Sequence, residues 1–338
     1  MKKKWLFAAI LIPLLLFALS RLDAESLLQS ARQIPAWLLA LLLGLQVVSQ
    51  LLVNLQWHQI SRFTAANISF ADMFYINCQG AVVDSITPGV KVGGEVTRAV
   101  QISRMGNCTG EQAAAMVALQ KIFSMGAFFV INLFTVGYLV GSVTFLQVLH
   151  VQFFVYALLL LFLLLFAGIF AMPRHITKWL HGRREGRFLW MRKVRGFLFA
   201  LLDHVVLIRA NAKVMISLSL LSFLIWLLYP VKMYILAAQV FPGIHAIYIG
   251  ATTFASYMVA MIPIFPGGLG GFEGTMSGLL FAMGFAASGA VVVTVLFRFV
   301  TFWFVMLLGL GFVGWRKARG AFRRWGETKR GMPKLSKK

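Results

Sequence analysis

The sequence predicts an all-α integral membrane protein, with about six full spans and two re-entrant helix pairs in an inverted-repeat architecture. Three observations carry this prediction. The 338 residues are 60% hydrophobic and 12% charged, with a mean hydropathy of +0.83, where a soluble domain averages about 25% charged. Apolar windows long enough to cross a bilayer recur along the chain. Two further apolar stretches are broken by Pro/Gly clusters that share one internal spacing. Ten acidic and 32 basic residues, largely gathered into a few runs, cannot supply the polar shell of a soluble globule of this size. A soluble enzyme, a secreted domain and a disordered tail are excluded.

Taken in order, the chain opens on Lys2, Lys3 and Lys4 and an apolar run with no small-x-small cleavage site before Arg21, Asp23 and Glu25. This reads as a retained first span that also serves as signal anchor. The six unbroken apolar windows cover residues 5–20, 36–56, 112–140, 144–172, 214–238 and 288–315. The broken stretches cover 71–104, interrupted by TPGVKVGGE, and 247–285, interrupted by PIFPGGLGGFEG. A polar helix over 95–104 is only about 15 Å long, half of a ~30 Å hydrocarbon core, and cannot span it. The expected organisation is one polytopic membrane domain over 1–315, with a first half at 1–172, a basic loop at 173–213 and a second half at 214–315, followed by a basic tail at 316–338. Within the loop, Phe188, Met191, Val194, Leu198, Leu201, Leu202 and Val205 recur at helical spacing beside Arg192, Lys193 and Arg195. They read as an amphipathic helix, lying either in the interface or against the bundle.

The formal net charge is +22, and ten Lys/Arg lie in 174–213 with ten more in 316–338. These runs flank apolar spans, so positive-inside bias and anionic headgroups account for them, and no nucleic-acid partner is expected. With the N-terminus, loop and C-terminal tail all cytoplasmic in the cell membrane, each half must cross an even number of times. The broken stretches then enter and leave on one side, the first from the cytoplasm and the second from outside. The outer loops contain two basic residues, Arg21 and Arg32, against 24 at cytoplasmic positions. Cys78 and Cys108 belong to no CxxC or Cys/His cluster and the six His form no ligand pattern, so neither a disulfide framework nor a metal or cofactor is implied.

Aligned from proline, the interruptions read Pro88-Gly89-Val90-Lys91-Val92-Gly93-Gly94-Glu95 and Pro266-Gly267-Gly268-Leu269-Gly270-Gly271-Phe272-Glu273. Both begin PG, with Gly five residues after Pro and Glu seven after it. Matching breaks in two oppositely oriented halves are the mark of inverted repeats whose binding site lies near the bilayer midplane. Pro and paired Gly free backbone groups that lipid cannot satisfy, so a break must be buried in protein or line a polar cavity. Half-helices starting near Gly94 and Gly271 would aim N-terminal amides into that cavity and favour an anion such as a phosphate oxygen. The competing reading is that PG and GG pairs merely permit tight turns and close packing. Asp84, Lys91, Glu95, Arg98, Lys121, Glu273 and Arg298 add ionisable groups at membrane depth, each costing roughly 2.5–3.5 kcal/mol on insertion scales unless paired or wet. Their alternative role is mutual pairing, for instance Glu273 with Arg298. Lys232, nearer the end of its helix, is expected to snorkel, and Arg104 to complement a helix dipole.

These same residues carry a family resemblance. TPGVKVGGEVTRAVQISRMG, the helix with Gln120-Lys121, LLSFLIWLLYPVKMYIL, PIFPGGLGGFEG and LFRFVTFWFVMLLGLGFV together resemble the flippase-like membrane domain of lysylphosphatidylglycerol synthases, over roughly residues 5–315. The resemblance implies an integral membrane protein with two re-entrant elements that moves an amphiphilic lipid between leaflets. It assigns transport roles to Pro88, Gly93, Gly94, Glu95 and Arg98, then to Pro266, Gly267, Gly268, Gly270, Glu273 and Arg298. Asp84, Gly89, Lys91, Lys121 and Gly271 join them from the residue reading above. Where relatives often carry an Asp-Arg pair, this chain has Gln120-Lys121. Full-length synthases append a soluble aminoacyl-transferase domain, whereas a basic stretch of 23 residues follows the last span here, so lysyl transfer is not expected.

The leading functional expectation is transbilayer movement of a lipid or lipid-linked precursor with a charged headgroup, through a midplane cavity between the two breaks. No GxxxxGK[ST] stretch occurs, so movement would be downhill, ion-coupled or driven by a partner, with Glu95, Glu273 and Asp84 as candidate proton carriers. An alternative is an integral-membrane transferase acting on a lipid phosphate, which would need the clustered carboxylates that ten scattered Asp/Glu do not provide. A noncatalytic partner in a lipid or glycan pathway is a third reading, and a partner protein or homo-oligomer is left open.

Overall fold

The computed structural model describes residues 24–64, 66–87, 92–142, 149–182, 189–262 and 266–330. The first expected span and residues Pro88, Gly89 and Lys91 of the first break lie outside them. All regular structure among the described residues is helical. Helix α1, Ala24–Arg32, is separated from α2, Ala36–Phe63, by Pro35, which lacks the N–H needed to continue a helix and instead introduces the next one. Helix α3, Phe70–Ile86, starts where Ser69 Oγ accepts the Asp72 N–H at 3.2 Å. After the first break comes α4, Val92–Met105. Helix α5, Gly110–Ser142, opens on a reciprocal cap in which Thr109 Oγ1 and Gln112 Oε1 accept each other's backbone N–H at 3.2 and 3.0 Å.

Helices α6, Leu149–Ala171, and α7, Pro173–His181, meet at a 78° bend, with Pro173 the first residue of α7. Helix α8 is Leu189–Ala210, and α9, Ala212–Val240, begins where Asn211 Oδ1 accepts the Val214 N–H at 3.3 Å. Helix α10, Ala246–Ala260, leads to the second break, which contains a 3-10 turn at Pro266–Gly268. Helix α11, Gly271–Ala282, and α12, Ala287–Arg298, follow, and a π turn at Phe299–Trp303 joins α12 to α13, Phe304–Arg330.

Four helical stretches are long and apolar enough to cross a bilayer, Ala36–Phe63, Gly110–Thr135, Ala212–Val240 and Ala287–Arg319, and the bent α6–α7 pair is a fifth candidate. They fall on the expected apolar windows other than 5–20. By contrast α3, α4, α10 and α11, with 17, 14, 15 and 12 residues, measure about 26, 21, 23 and 18 Å at 1.5 Å per residue. Each is shorter than a ~30 Å core. The two broken stretches are thus pairs of short helices, as their Pro/Gly content predicts.

The order long helix, short helix, break, short helix, long helix occurs twice, as α2 to α5 and as α9 to α13. The packing between the two sets is reciprocal. Helix α5 of the first lies on α10 of the second, α13 of the second lies on α3 of the first, and α2 packs on its counterpart α9. An axis exchanging two repeats produces this pattern. One buried apolar cluster joins α2, α3, α5 and α8 through residues such as Ile60, Met73, Met116 and Val205. A second joins α2, α9, α11 and α12 through Leu42, Leu236, Phe272 and Phe297. The amphipathic helix of the basic loop is α8, and it lies against the bundle: Leu201, Leu202 and Val205 are buried while Met191 and Val194 are exposed.

Candidate functional site

Each break is held shut by one carboxylate that does two jobs. In the first, Asp84 comes from the last turn of α3 and reaches across to α4. Its Oδ1 accepts the Gly94 N–H at 2.9 Å and its Oδ2 accepts Arg98 Nη1 at 3.1 Å. The carboxylate thereby caps an amide that the start of α4 leaves free and neutralises the arginine one turn further on. Gly94 is required by this approach, because a Cβ there would stand 2.2 Å from Asp84 Cγ. Gly80 plays the same part for Arg98, whose Cζ would lie 2.6 Å from a Cβ on it. The guanidinium also lies over the Trp57 ring of α2, 6.0 Å from the centroid, and its buried Nε has no hydrogen-bond partner among the described residues.

In the second break Glu273, on α11 itself, accepts the Gly270 N–H at 2.6 Å with Oε2 and Arg298 Nε at 2.7 Å with Oε1. Arg298 Nη2 donates to the Gly267 carbonyl at 3.0 Å, so one side chain ties both edges of the break. Gly267, Gly268 and Gly270 adopt φ values of 59°, 72° and 85°, the left-handed region in which a side chain would be strained. The Gly270 N–H and the Gly267 carbonyl are therefore satisfied by protein, as hydrocarbon surroundings demand. Arg298 is 5% exposed and lies between the rings of Phe272 and Phe302, 5.1 and 4.5 Å from their centroids. The π turn begins at the next residue.

A third ion pair joins Glu95, at the start of α4, to Lys121 on α5. It is the most open of the three, its side chains 25% and 31% exposed against 20% and 6% for Glu273 and Arg298. Gln120 turns away from it and donates to Gln56 Oε1 of α2 at 3.0 Å. The expected pairing of Glu273 with Arg298 is present, whereas Glu95 faces Lys121 and leaves Arg98 to Asp84. The second break also reaches the helix that leads into the first. A Cβ on Gly267 would lie 3.5 Å from the carbonyl of Ser85, one residue before the end of α3. Asp84, Gly93, Gly94, Glu95, Arg98 and Lys121 thus cluster on one side of this contact and Gly267, Gly268, Gly270, Gly271, Glu273 and Arg298 on the other.

One expectation is overturned. Lys232 does not snorkel: it is fully buried, its Nζ donating to Gln46 Oε1 and to Ser49 Oγ, the latter at 3.0 Å. The cause is the packing of α2 on α9, which closes over this face of α9 and leaves the side chain no route to an interface. Arg316, counted among the basic tail residues, pairs with Asp72 at the start of α3. A signal for the first of these lay in the sequence, since Gln46, Ser49 and Gln56 fall on one face of an otherwise apolar helix.

This arrangement defines a class: a polytopic helical membrane protein built on two interlocked pairs of short, broken helices with charged pairs beside their breaks. The chain belongs to the family described as the lysylphosphatidylglycerol synthase TM region, whose match runs over residues 5–309. It is similar to a UPF0104 membrane protein of Methanothermobacter thermautotrophicus, 23% identical over 278 residues, covering 79% of this chain and 81% of the relative. It is also similar to a UPF0104 membrane protein of Pyrococcus horikoshii, 23% identical over 321 residues, covering 91% and 95% of the two chains.

Proposed function

We propose that this protein moves an amphiphilic lipid, or a lipid-linked precursor with a charged headgroup, between the leaflets of the cell membrane. The observation that carries the reading is the approach of the second break to the end of α3, with the start of each half-helix held by a carboxylate that accepts a backbone N–H and pairs with an arginine. A phosphate diester bears the same charge as those carboxylates and accepts the same donors. It can compete with Asp84 or Glu273 for an arginine or an amide. Among the described residues the buried Nε of Arg98 has no acceptor, which leaves a donor for such a headgroup, and the more open Glu95–Lys121 pair marks its entry. Acyl or prenyl chains would remain in the bilayer.

The test is leaflet-resolved transport in proteoliposomes holding the full chain. Probes are phosphatidylglycerol, phosphatidylethanolamine and a polyprenyl phosphate, each labelled on an acyl or prenyl chain. Accelerated loss of asymmetry for at least one probe, relative to protein-free vesicles, is the expected result. Rates equal to protein-free vesicles for all three would remove the reading. The basic-residue bias supports termini and central loop in the cytoplasm. Single cysteines at Gly243 and Gly186 test it, with external labelling expected only at Gly243.

A further inference from the structure

The transport reading needs an energy source or a downhill gradient. Asp84, Glu95 and Glu273 each already face a cation. Lys232 differs. It is 0% exposed, and its hydrogen-bond partners are the neutral oxygens of Gln46 and Ser49. Among the described residues it has no carboxylate partner. Ser49 donates its own hydroxyl hydrogen to the Leu45 carbonyl at 3.0 Å, so it can only accept from the lysine. Two acceptors satisfy the two N–H bonds of a neutral amine. A third N–H, present only in the ammonium, has the face of Tyr229 at 4.6 Å. With no opposite charge beside it among the described residues, the charge on this group depends on whether water reaches it.

The surroundings allow that access to change. Lys232 sits in the seam between α2 and α9, the first long helices of the two repeats. Two residues before it, Pro230 interrupts α9 and leaves the helix without the N–H that would bond the Trp226 carbonyl. From its own helix Tyr229 faces it. Helix α10 brings Tyr257 against Tyr229, with centroids 5.1 Å apart, and Tyr257 meets Phe272, which carries Arg298 on its face. Arg298 on α12 and Glu273 on α11 are therefore the nearest charged groups in this chain of rings. Helix α2 contributes only neutral Gln46 and Ser49. Helix α5 meets α9 through Ser124 at Trp226, and α8 meets it through the cluster containing Val214 and Leu218, both further towards the start of α9.

Resting on the transport reading, we propose that Lys232 is the proton-binding site that couples lipid movement to a proton gradient. Its Nζ lone pair takes a proton from water when the α2–α9 seam opens to one side. It returns that proton to water when the seam opens to the other. No other bond is made or broken. The aromatic chain from Tyr229 to Arg298 links the state of the seam to the second break.

Two measurements on the full chain test this. In detergent, proton uptake over a pH titration is compared between wild type and Lys232→Met. Wild type is expected to bind one more proton per chain, and equal uptake would overturn the proposal. Gln46→Glu, nearly isosteric, supplies the missing carboxylate and holds the ammonium charged. It should abolish the same uptake and covers the case in which Lys232→Met does not fold. In proteoliposomes with labelled phosphatidylglycerol, a pH gradient of one unit should shift the steady-state leaflet ratio of wild type by about tenfold for one-for-one coupling. Lys232→Met and Gln46→Glu should show no such shift. Wild-type transport indifferent to the gradient would refute the coupling and leave the transport reading standing. Absence of any lipid transport, with the extra proton still bound by wild type, would instead refute the transport reading and retain Lys232 as a proton site.

Discussion

The two broken helix pairs solve one problem with different residues. Both must satisfy a half-helix amide and an arginine inside a membrane domain. The second uses Glu273, which stands seven residues after Pro266 and holds Gly270 and Arg298. The first has a glutamate at the same place, Glu95, yet Asp84 from the preceding helix does that work on Gly94 and Arg98. Glu95 is thereby released to pair with Lys121, the most open of the three pairs. The half-helices differ in the same sense: α11 buries Phe272, Met276 and Leu280, while α4 buries only Gly94 and Ile102. A shared spacing thus yields a locked element in the second repeat and one with a spare, accessible ion pair in the first.

The comparison predicts that charge removal acts on different quantities in the two elements, and this is the largest expected effect. Arg298→Gln strips the buried partner from Glu273 and the donor from the Gly267 carbonyl. Breaking a buried pair from one side costs about 3–5 kcal/mol, so folded yield and thermal stability in detergent should fall sharply. Lys121→Gln removes a pair that is a quarter to a third exposed, with a stability cost of under about 1 kcal/mol. Glu95→Gln should resemble it, yet both should slow lipid transport by about tenfold, equivalent to ~1.4 kcal/mol in barrier height. Equal stability losses at Arg298 and Lys121 would show that the elements are alike. Unimpaired transport in the Glu95 and Lys121 variants would reduce their pair to a structural contact.

Much of this difference was invisible in the sequence for a definite reason. The breaks, the shared Glu and the Glu273–Arg298 pair follow from spacing and from the cost of a lone charge in a membrane. The division of labour between Asp84 and Glu95 does not, because it depends on how closely α3 approaches α4, which Gly80 and Gly94 permit but do not dictate. Position along a helix also says nothing about which face a neighbour covers. Lys232 reads as a snorkelling residue until α2 is seen to close over it. The π turn after Arg298 has no residue pattern that announces it. Gln46, Ser49 and Gln56 on one face of α2 were the available sign of a polar seam, and it takes the fold to show that α9 is the partner.

The smaller prediction asks whether the close approach in the first element is as specific as the geometry says. Gly94→Ala places a methyl where Asp84 Cγ lies 2.2 Å from the ideal Cβ position. The neighbour is the short side chain that caps α4, so it cannot withdraw without surrendering both the Gly94 N–H and Arg98. Overpacking of this kind costs about 1–3 kcal/mol, and thermal unfolding in detergent should show a lowered midpoint. Gly274→Ala is the matched control from α11, because a Cβ there meets nothing within 4 Å. Replacing a glycine inside a helix removes a penalty of about 0.5–1 kcal/mol, so that variant should be neutral or slightly stabilised. A Gly94→Ala protein as stable as the Gly274→Ala protein would mean that Asp84 does not rest on the start of α4, and the contrast between the two elements would lose its structural basis.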